Sequence, residues 1–249
     1  MKISSVHTVA IRANDMTLLE LVDAYVPVAR EGMIVAISSK VVALCEGRVV
    51  KAGTVDVQQL ARDEAQYYLT PSDRTLGYSL TVNRNILVSK AGIDESNTDG
   101  HYVLWPQDPQ ASANLVREHL ARKHGVRVGV ILTDARVIPM RRGVLGIGLS
   151  HSGFSALRNY VGSSDIFGNY NLKYTYSNIL DGLAAAAVVQ MGEGDQKTPI
   201  ILIDDVEFVE FQDRSPTPEE LAMLDMPMEE DIFSDMLKAI PWDKRPAGS

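Results

Sequence analysis

The stretch "WPQDPQASANLVREHLARKHGVRVGVILTD", Trp105 to Asp134, joins the clearest helix of the chain to its clearest buried strand. Asp108 is a typical N-cap, Pro109 suits the first helical position, basic residues crowd the last turn, and Gly125 suits the helix end. The apolar run that follows predicts a buried strand with Asp134 as its last residue. This helix and strand anchor the prediction of the fold.

Similar periodicity predicts the remaining elements. Further helices are predicted at 17–29, 55–69 and 178–192, with a short amphipathic helix at 229–240. Further strands are predicted at 32–38, 48–55, 78–82, 85–90 and 200–206, with a hairpin turn at 83–85. The strands are numerous but separated by unequal connections. The pattern therefore predicts an α+β chain with mixed sheets and flanking helices rather than a regular doubly wound fold.

Charge divides the 249-residue chain unevenly. The net charge is −8, yet residues 204–235 carry twelve Asp or Glu against one Arg, which leaves about +3 on the rest. We therefore predict a domain over residues 1–206 and an acidic C-terminal tail over 207–249 with a short helix. A mildly basic body suits anionic small molecules and the tail disfavours nucleic acid. The tail is either a solvated segment or a docking element for a partner or second subunit.

Location and redox chemistry follow from what the sequence lacks. No apolar run reaches the roughly 20 residues that cross a membrane, and "MKISSVHTVAIRAND" has no signal-like apolar block. We expect a cytoplasmic protein without a membrane partner. The single cysteine, Cys45, excludes an intramolecular disulfide framework and a Cys-cluster zinc site. A semi-buried Cys45 is favoured over a nucleophilic one.

Three acidic residues lie where predicted elements end. Asp94 belongs to "AGIDESN" (91–97) after a strand, Asp134 ends a strand, and Glu193 lies in the turn "GEGD" after a helix. Such residues either cap turns or face a ligand from a rigid scaffold. If the three converge, their mutual repulsion requires a cation, and hard oxygen ligands suit Mg²⁺ or Mn²⁺.

Three arginines follow Asp134 in "DARVIPMRRG": Arg136, Arg141 and Arg142. Guanidinium groups beside an acid suit a phosphate or carboxylate site, although an exposed basic loop has the same sequence. The strings "GVLGIGLSHSG" and "GEGD" fit neither the phosphate-loop pattern nor the dinucleotide fingerprint. The five histidines show no metal-ligand spacing. These residues alone leave both interpretations open.

Several motifs taken in order resemble one family. They are "SSKVVALCEGRVV", "AGIDESN", "WPQDPQASA", "VGVILTD…PMRRG", "SDIFG", "DGLAAAAVVQMGEG" and "PIILI", which together span most of residues 32–204. Their order and spacing resemble the coenzyme F-420 gamma-glutamyl ligase family. The resemblance implies an α+β fold found as an intertwined homodimer. It also implies addition of L-glutamate to an anionic deazaflavin cofactor, with GTP or ATP as co-substrate and Mg²⁺ or Mn²⁺ at up to two sites, with K⁺ as a further candidate ion.

The same resemblance assigns roles to individual residues. Asp94, Asp134 and Glu193 would be metal ligands, and Asp134 and Arg141 would be catalytic. The nucleotide would contact Ser39, Lys40, Asn97, Met191, Gly192, Glu193 and Gly194. Metal and arginine would draw charge from the triphosphate while the acceptor carboxylate attacks the terminal phosphorus, and glutamate would then displace phosphate from the acyl phosphate. No protein nucleophile is needed.

The chain also departs from the family pattern. Where relatives read D-[ST]-x-G-R-P-W-R-x-G, this chain has Ala135, Val137, Ile138 and Met140 in place of the hydroxyl residue, Gly, Arg and Trp. A family lysine falls at Leu44. The loss of these groups motivates an alternative hypothesis, a nucleotide- or cofactor-binding protein on the same fold that is not catalytic.

Overall fold

The computed structural model of the protein describes residues 1–72 and 77–244. The strands are Lys2–Val6 (β1), Met33–Ser38 (β2), Val49–Lys51 (β3), Tyr67–Leu69 (β4), Leu80–Asn83 (β5), Ile86–Ser89 (β6), His101–Val103 (β7), Val128–Val137 (β8), Val144–Ser152 (β9), Leu157–Asn159 (β10), Tyr176–Asn178 (β11), Ile200–Asp204 (β12) and Asp243–Lys244 (β13). The α-helices are Leu18–Tyr25 (α1), Ser39–Cys45 (α2), Val57–Glu64 (α3), Pro109–His124 (α4), Ile179–Met191 (α5), Pro218–Leu224 (α6) and Ser234–Ala239 (α7).

A five-stranded mixed sheet forms the centre, in the order β1-β12-β2-β8-β9. Strands β2 and β8 are parallel, whereas the other neighbouring pairs are antiparallel. A four-stranded antiparallel sheet, β13-β4-β5-β6, lies beside it, and β3–β7 and β10–β11 form two small ribbons. The predicted α+β class with mixed sheets is confirmed.

Helices cover both faces of the central sheet. Alternate residues of β2 point to opposite layers, so Val35 and Ile37 pack with α1 and α4 whereas Ile34 and Ala36 pack with α5. All four are fully buried. Burial of one such aliphatic side chain contributes about 1.5–3 kcal/mol, and a strand buried on both faces therefore reads as a continuous apolar run.

Helix α5 lies close against β9 because β9 carries glycine at the contact. A Cβ built on Gly148 would lie 2.4 Å from Leu180, and one on Gly146 would lie 2.5 Å from the Ala184 carbonyl oxygen. No side chain fits at either position without displacing the helix. The Ala-rich face of α5 and these glycines together set the position of the helix end that leads to Glu193.

The predicted elements are confirmed with some corrections. Helix α4 begins and ends as predicted, with the Asp108 carboxylate accepting from the Ala111 amide and Gly125 in the left-handed region. The helix predicted at 17–29 ends at Tyr25, two residues before Pro27. The helix predicted at 55–69 is wrong beyond Glu64, because residues 67–69 pair with β5 instead. Local helical periodicity was overridden there by strand pairing.

Two further corrections concern the site. Strand β8 continues three residues past Asp134 to Val137, because it forms a hairpin with β9 in which Val137 pairs with Val144. Helix α2, immediately after β2, was not predicted. Its seven residues are too few to show a helical period.

The C-terminal segment packs against the body while its acidic side chains remain mostly exposed. Phe211 and Leu224 pack on the core beside α5. The Trp242 ring makes an edge contact with Tyr67 at 6.1 Å between centroids, and β13 pairs with β4. The predicted short helix is present as α7 and the segment contains a second one, α6, that was not predicted. Among residues 1–72 and 77–244, no helix is long and apolar enough to span a bilayer.

Candidate functional site

A cavity of about 560 Å³ opens at the end of the central sheet. Four parts of the chain dominate its lining: residues 8–12, the β2–α2 junction, the segment 94–99, and the α5–β12 loop at 191–199. Thr133, Asp134, Ala135 and Val144 of the β8–β9 hairpin, with Val188 of α5, complete the lining. The cavity therefore lies where strand β2 ends beside Thr133 of β8, at an edge of the kind where parallel strands commonly present ligand-binding loops.

The segment that carries Asp94 is held in an unusual backbone conformation. Lys90 and Ala91 have φ of 48° and 53°, in the left-handed region that disfavours non-glycine residues. Two buried side chains of β5 hold the turn: Thr81 Oγ1 accepts from the Ala91 amide at 2.8 Å, and Asn83 Nδ2 donates to the Ala91 carbonyl at 2.9 Å. Strain that persists under such restraint is typical of functional sites.

Asp94 is paired with Lys40 across the cavity. Lys40 Nζ lies 2.6 Å from Asp94 Oδ2 and donates to the Ser96 carbonyl at 2.9 Å. The Ser96 amide and hydroxyl both donate to Asp94 Oδ1. Burial acts to raise the pKa of Asp94, but the Lys40 charge and these hydrogen bonds outweigh it and lower the pKa below its ordinary value. Asp94 is therefore an ionised group at neutral pH.

Asp134 is in a different environment. The Trp105 indole Nε1–H donates to Asp134 Oδ2. Burial raises the pKa of Asp134 to about 7, against the opposing effect of this hydrogen bond. Among the residues that the structure describes, no Lys, Arg or His forms an ion pair with Asp134. A half-buried carboxylate at the cavity wall without an ion-pair partner is poised to accept a proton or a cation.

The loop after α5 brings Glu193 to the same cavity. Burial raises the pKa of Glu193, with Lys40 and Asp94 near enough to act on it electrostatically. Asn97 Nδ2 donates to the Gly194 carbonyl at 3.0 Å, which ties the Asp94 segment to this loop. Thr198 Oγ1 donates to the Met191 carbonyl at 2.7 Å and so closes the last turn of α5. Asn97 thus has a structural partner in this structure.

The structure brings most of the predicted site residues to one cavity. Asp94, Asp134 and Glu193 all line it, together with Lys40, Asn97, Met191, Gly192 and Gly194. The carboxylates are not at coordination distance, since the described ranges contain no group of three or more His, Cys, Asp or Glu arranged to hold a metal. The donor chemistry fits a hard divalent cation, because three carboxylates from three elements line one cavity and, within the described ranges, only Asp94 of the three has an ion-pair partner, Lys40.

Two predicted residues lie outside the lining. Ser39 is buried at the start of α2, where its neighbours Ser38 and Lys40 face the cavity instead. Arg141 is exposed at the tip of the β8–β9 hairpin. Arg136, on β8, has a buried Nε without a hydrogen-bond partner among the described residues. Two of the residues that depart from the family pattern, Leu44 and Ala135, line the cavity.

Two parts of the site were not among the predicted site residues. Residues 8–12 line the cavity, and Arg12 Nε lies 2.9 Å from Asp99 Oδ2, which links this segment to the Asp94 segment. Trp105 belongs to a motif of the family resemblance but was not predicted as a site residue. No signal in the sequence indicates either contact, because each joins residues far apart in the chain. Cys45 is half-buried, and burial raises its pKa to about 11, as expected for a thiol that is not a nucleophile.

Comparison with known proteins identifies the family. The family model described as F420-0:Gamma-glutamyl ligase matches residues 6–205. A coenzyme F420:L-glutamate ligase of Methanopyrus kandleri is 31% identical over 188 residues, 69% of this chain and 74% of the relative. The enzyme of that name from Methanococcus maripaludis strain C6 is 32% identical over 204 residues, 76% of this chain and 81% of the relative. The one from Archaeoglobus fulgidus is 31% identical over 189 residues, 70% of this chain and 75% of the relative. The chain therefore belongs to the F420-0:gamma-glutamyl ligase family.

Proposed function

We propose that the protein is a nucleotide- and metal-dependent amide ligase that adds L-glutamate to the carboxylate of coenzyme F420 or a related cofactor. The observation that carries the proposal is the cavity in which Asp94, Asp134 and Glu193 meet Lys40 and Asn97. Family membership supports the choice of glutamate and of an F420-type acceptor, since the relatives are named for that reaction. GTP or ATP would drive it through an acyl phosphate.

The three carboxylates would hold Mg²⁺ or Mn²⁺, at one or two positions, with K⁺ as a further candidate ion. A bound divalent ion supplies charge neutralisation for the triphosphate oxygens. Asp94 is already ionised, and Asp134 loses its proton near neutral pH. Both are therefore able to accept a cation under cellular conditions. Lys40, now paired with Asp94, would be freed to contact phosphate when a metal takes its place.

The nucleotide is proposed to lie between the Asp94 segment and residues Met191–Gly194. Asn97 would contact it from one side, with Ser39 and Lys40 at the start of α2. The acceptor and L-glutamate are proposed to bind beside the nucleotide at the same cavity. The acceptor carboxylate would attack the terminal phosphorus, and the amine of L-glutamate would then displace phosphate, so the residues of the chain position substrates and stabilise charge. By the family resemblance Arg141 would offset charge on the transferred phosphoryl group, although its side chain is exposed at the hairpin tip outside the cavity lining.

We also propose that the protein is a homodimer. The arm between β10 and β11 exposes Ile166, Phe167 and Tyr174, with 92%, 76% and 87% of their surface accessible. Clustered apolar side chains at such exposure are typical of a surface that a partner covers. Sedimentation of a single monomeric species at micromolar concentration would contradict this assembly. A cytoplasmic location and the absence of a nucleic-acid partner remain predictions.

Thermal melting tests the proposal. GTP or ATP with Mn²⁺ should raise the melting temperature, because a ligand at 100 times its Kd stabilises by about 2.7 kcal/mol. Asp134→Ala should abolish the shift, whereas Asp225→Ala, at an exposed residue outside the cavity, should retain it. Absence of any shift at millimolar nucleotide in either metal would contradict the proposal.

A second assay separates catalysis from binding alone. Phosphate release that requires both L-glutamate and the acceptor is the expected result for a ligase. Nucleotide binding without such release would favour the non-catalytic alternative, which gains support from Leu44 and Ala135 at the cavity wall. The two assays together distinguish an empty site, a binding site and an active site.

A further inference from the structure

Trp105 contacts two parts of the candidate site at once. Its side chain is almost fully buried, with 3% of its surface accessible. The indole N–H donates to Asp134 Oδ2 on β8. The other contact is with Gly92, two residues before Asp94: a Cβ built there would lie 2.2 Å from both Nε1 and Cε2 of the indole. The ring is therefore wedged between the two acidic segments of the cavity.

Gly92 is the residue that allows this approach. It has φ of +80°, which a side chain rarely tolerates, and its missing Cβ leaves space that the indole fills. Gly53 also has φ of +80°, but nothing lies within 4 Å of where its Cβ would be. Backbone conformation alone explains glycine at position 53. At position 92 the close passage of the indole adds a second, independent reason.

The backbone of Trp105 is also fixed. Arg48 Nε donates to the Trp105 carbonyl at 3.3 Å, and Arg48 is held by Glu64 at 2.8 Å. With its backbone anchored and its ring buried against Gly92, the indole is held at one side of the Asp134 carboxylate. The Ala135 amide also donates to this carboxylate, and no other side chain among residues 1–72 and 77–244 does so. A carboxylate has about four lone-pair positions, so positions remain for a ligand.

We propose that Trp105 is a positioning residue of the site, which fixes the Asp134 carboxylate for cation binding and couples its placement to the Asp94 segment through Gly92. This inference rests on the proposed function for the identity of the ligand, a divalent cation. Core filling alone would be served by an apolar ring of similar size. The indole instead donates to a carboxylate, and outer partners that orient ligating carboxylates alter metal affinity by about 10- to 100-fold when removed.

Nuclear magnetic resonance of the two indole N–H groups tests the contact without any ligand. The other tryptophan, Trp242, donates its indole N–H to the Leu237 carbonyl at 2.8 Å in the C-terminal segment. Asp134→Asn should move the Trp105 indole resonance and leave that of Trp242 in place. If the Trp105 signal is unchanged, the contact does not exist and the inference is wrong, whatever the protein binds.

Metal affinity tests the role. Free Mn²⁺, counted by electron paramagnetic resonance, should show binding weakened at least about 10-fold in Trp105→Phe and unchanged in Trp242→Phe. Gly92→Ala keeps the indole but displaces it, and should weaken Mn²⁺ binding more than Gly53→Ala, which carries the same φ without the clash. Bound Mn²⁺ should also broaden the Trp105 indole signal and not that of Trp242.

The outcomes separate the two proposals. Equal Mn²⁺ affinity in Trp105→Phe and Trp242→Phe, with normal binding by the wild-type protein, would refute the positioning role and leave the proposed function standing. If Trp105→Phe does not fold, the Gly92→Ala and Gly53→Ala pair decides the matter in the same way. Absence of Mn²⁺ binding by the wild-type protein would refute the metal-dependent function, and with it the positioning of a metal ligand.

Discussion

Replacement of Asp134 by Asn should change how the stability of the protein depends on pH. Burial raises the folded-state pKa of Asp134 from 3.8 to about 7. Below pH 3.8 the carboxyl is protonated in both states and contributes nothing. Between pH 3.8 and 7 the unfolded chain loses this proton while the folded chain keeps it, so the free energy of unfolding falls as pH rises. Above pH 7 the loss is complete.

The size of the effect follows from the shift. One pKa unit corresponds to about 1.36 kcal/mol, so the full penalty is about 4 kcal/mol. Between pH 5 and pH 8 the folded and unfolded states differ in protonation over about two pH units, which corresponds to roughly 3 kcal/mol of the penalty. Asp134→Asn does not ionise, and its amide oxygen still accepts from Trp105. The variant should therefore gain stability relative to the wild type by about this amount over the same interval.

Urea denaturation at pH 5, 6, 7 and 8 in metal-free buffer measures the difference. Asp23→Asn provides the control, because hydrogen bonds from Lys123 and His119 lower the pKa of Asp23. The stability that Asp23 contributes is complete above its unfolded-state pKa of 3.8 and is lost only below it, so the difference between wild type and Asp23→Asn should stay constant from pH 5 to pH 8. A difference between wild type and Asp134→Asn that stays constant from pH 5 to pH 8 would refute the reasoning.

Two other expected outcomes test the cavity and the sheet that supports it. Lys40→Met should abolish the rise in melting temperature caused by nucleotide with Mn²⁺. The control, Lys90→Met, breaks the Lys90–Glu95 ion pair outside the cavity and should retain that rise. Equal rises in the two variants would show that Lys40 does not belong to the site. Gly148→Ala should cost about 1–3 kcal/mol in urea denaturation because its Cβ would meet Leu180 at 2.4 Å. Gly182→Ala, on α5 with open space around it, should instead stabilise the protein by about 0.5–1 kcal/mol, and a loss there equal to that at Gly148 would contradict the packing argument.

The elements that were predicted correctly carry their signals locally. Helix α4 has its cap, its proline and its terminal glycine within one stretch, and each acts on its own backbone neighbours. The hairpin of β5 and β6 is similar, since Arg84 and Asn85 both adopt the positive φ that its two-residue turn requires. Short-range physical chemistry decides these elements, and the sequence alone therefore predicts them.

The elements that were predicted wrongly depend on pairing with other strands. Tyr67–Leu69 continues a helical period yet forms strand β4, because β5 on one side and β13 on the other provide backbone partners. Asp134 was expected to end its strand, but β9 returns along it and extends the pairing to Val137. In both cases hydrogen bonding to another strand outweighs local preference.

The candidate site shows the same division. The acidic residues at the ends of elements could be nominated from sequence, because loops at strand ends commonly carry site residues. The protonation state and role of each acid could not be predicted from sequence, since in Asp94 and Asp134 they depend on tertiary partners. Lys40, 54 positions before Asp94, lowers its pKa, whereas burial beside Trp105 raises that of Asp134.

The opposite pKa shifts of these two carboxylates follow from where the fold places one cation and one indole. If a second ammonium neutralised Asp134, the cavity would have little negative charge left to attract a metal. If Lys40 were absent from Asp94, the carboxylates of the ligand-free cavity would repel one another without compensation. The arrangement seen here avoids both, because Lys40 neutralises one acid and partial protonation neutralises the other. A divalent cation entering the cavity would have to displace both Lys40 and the Asp134 proton. Metal affinity should therefore rise with pH up to about 7, as Asp134 ionises.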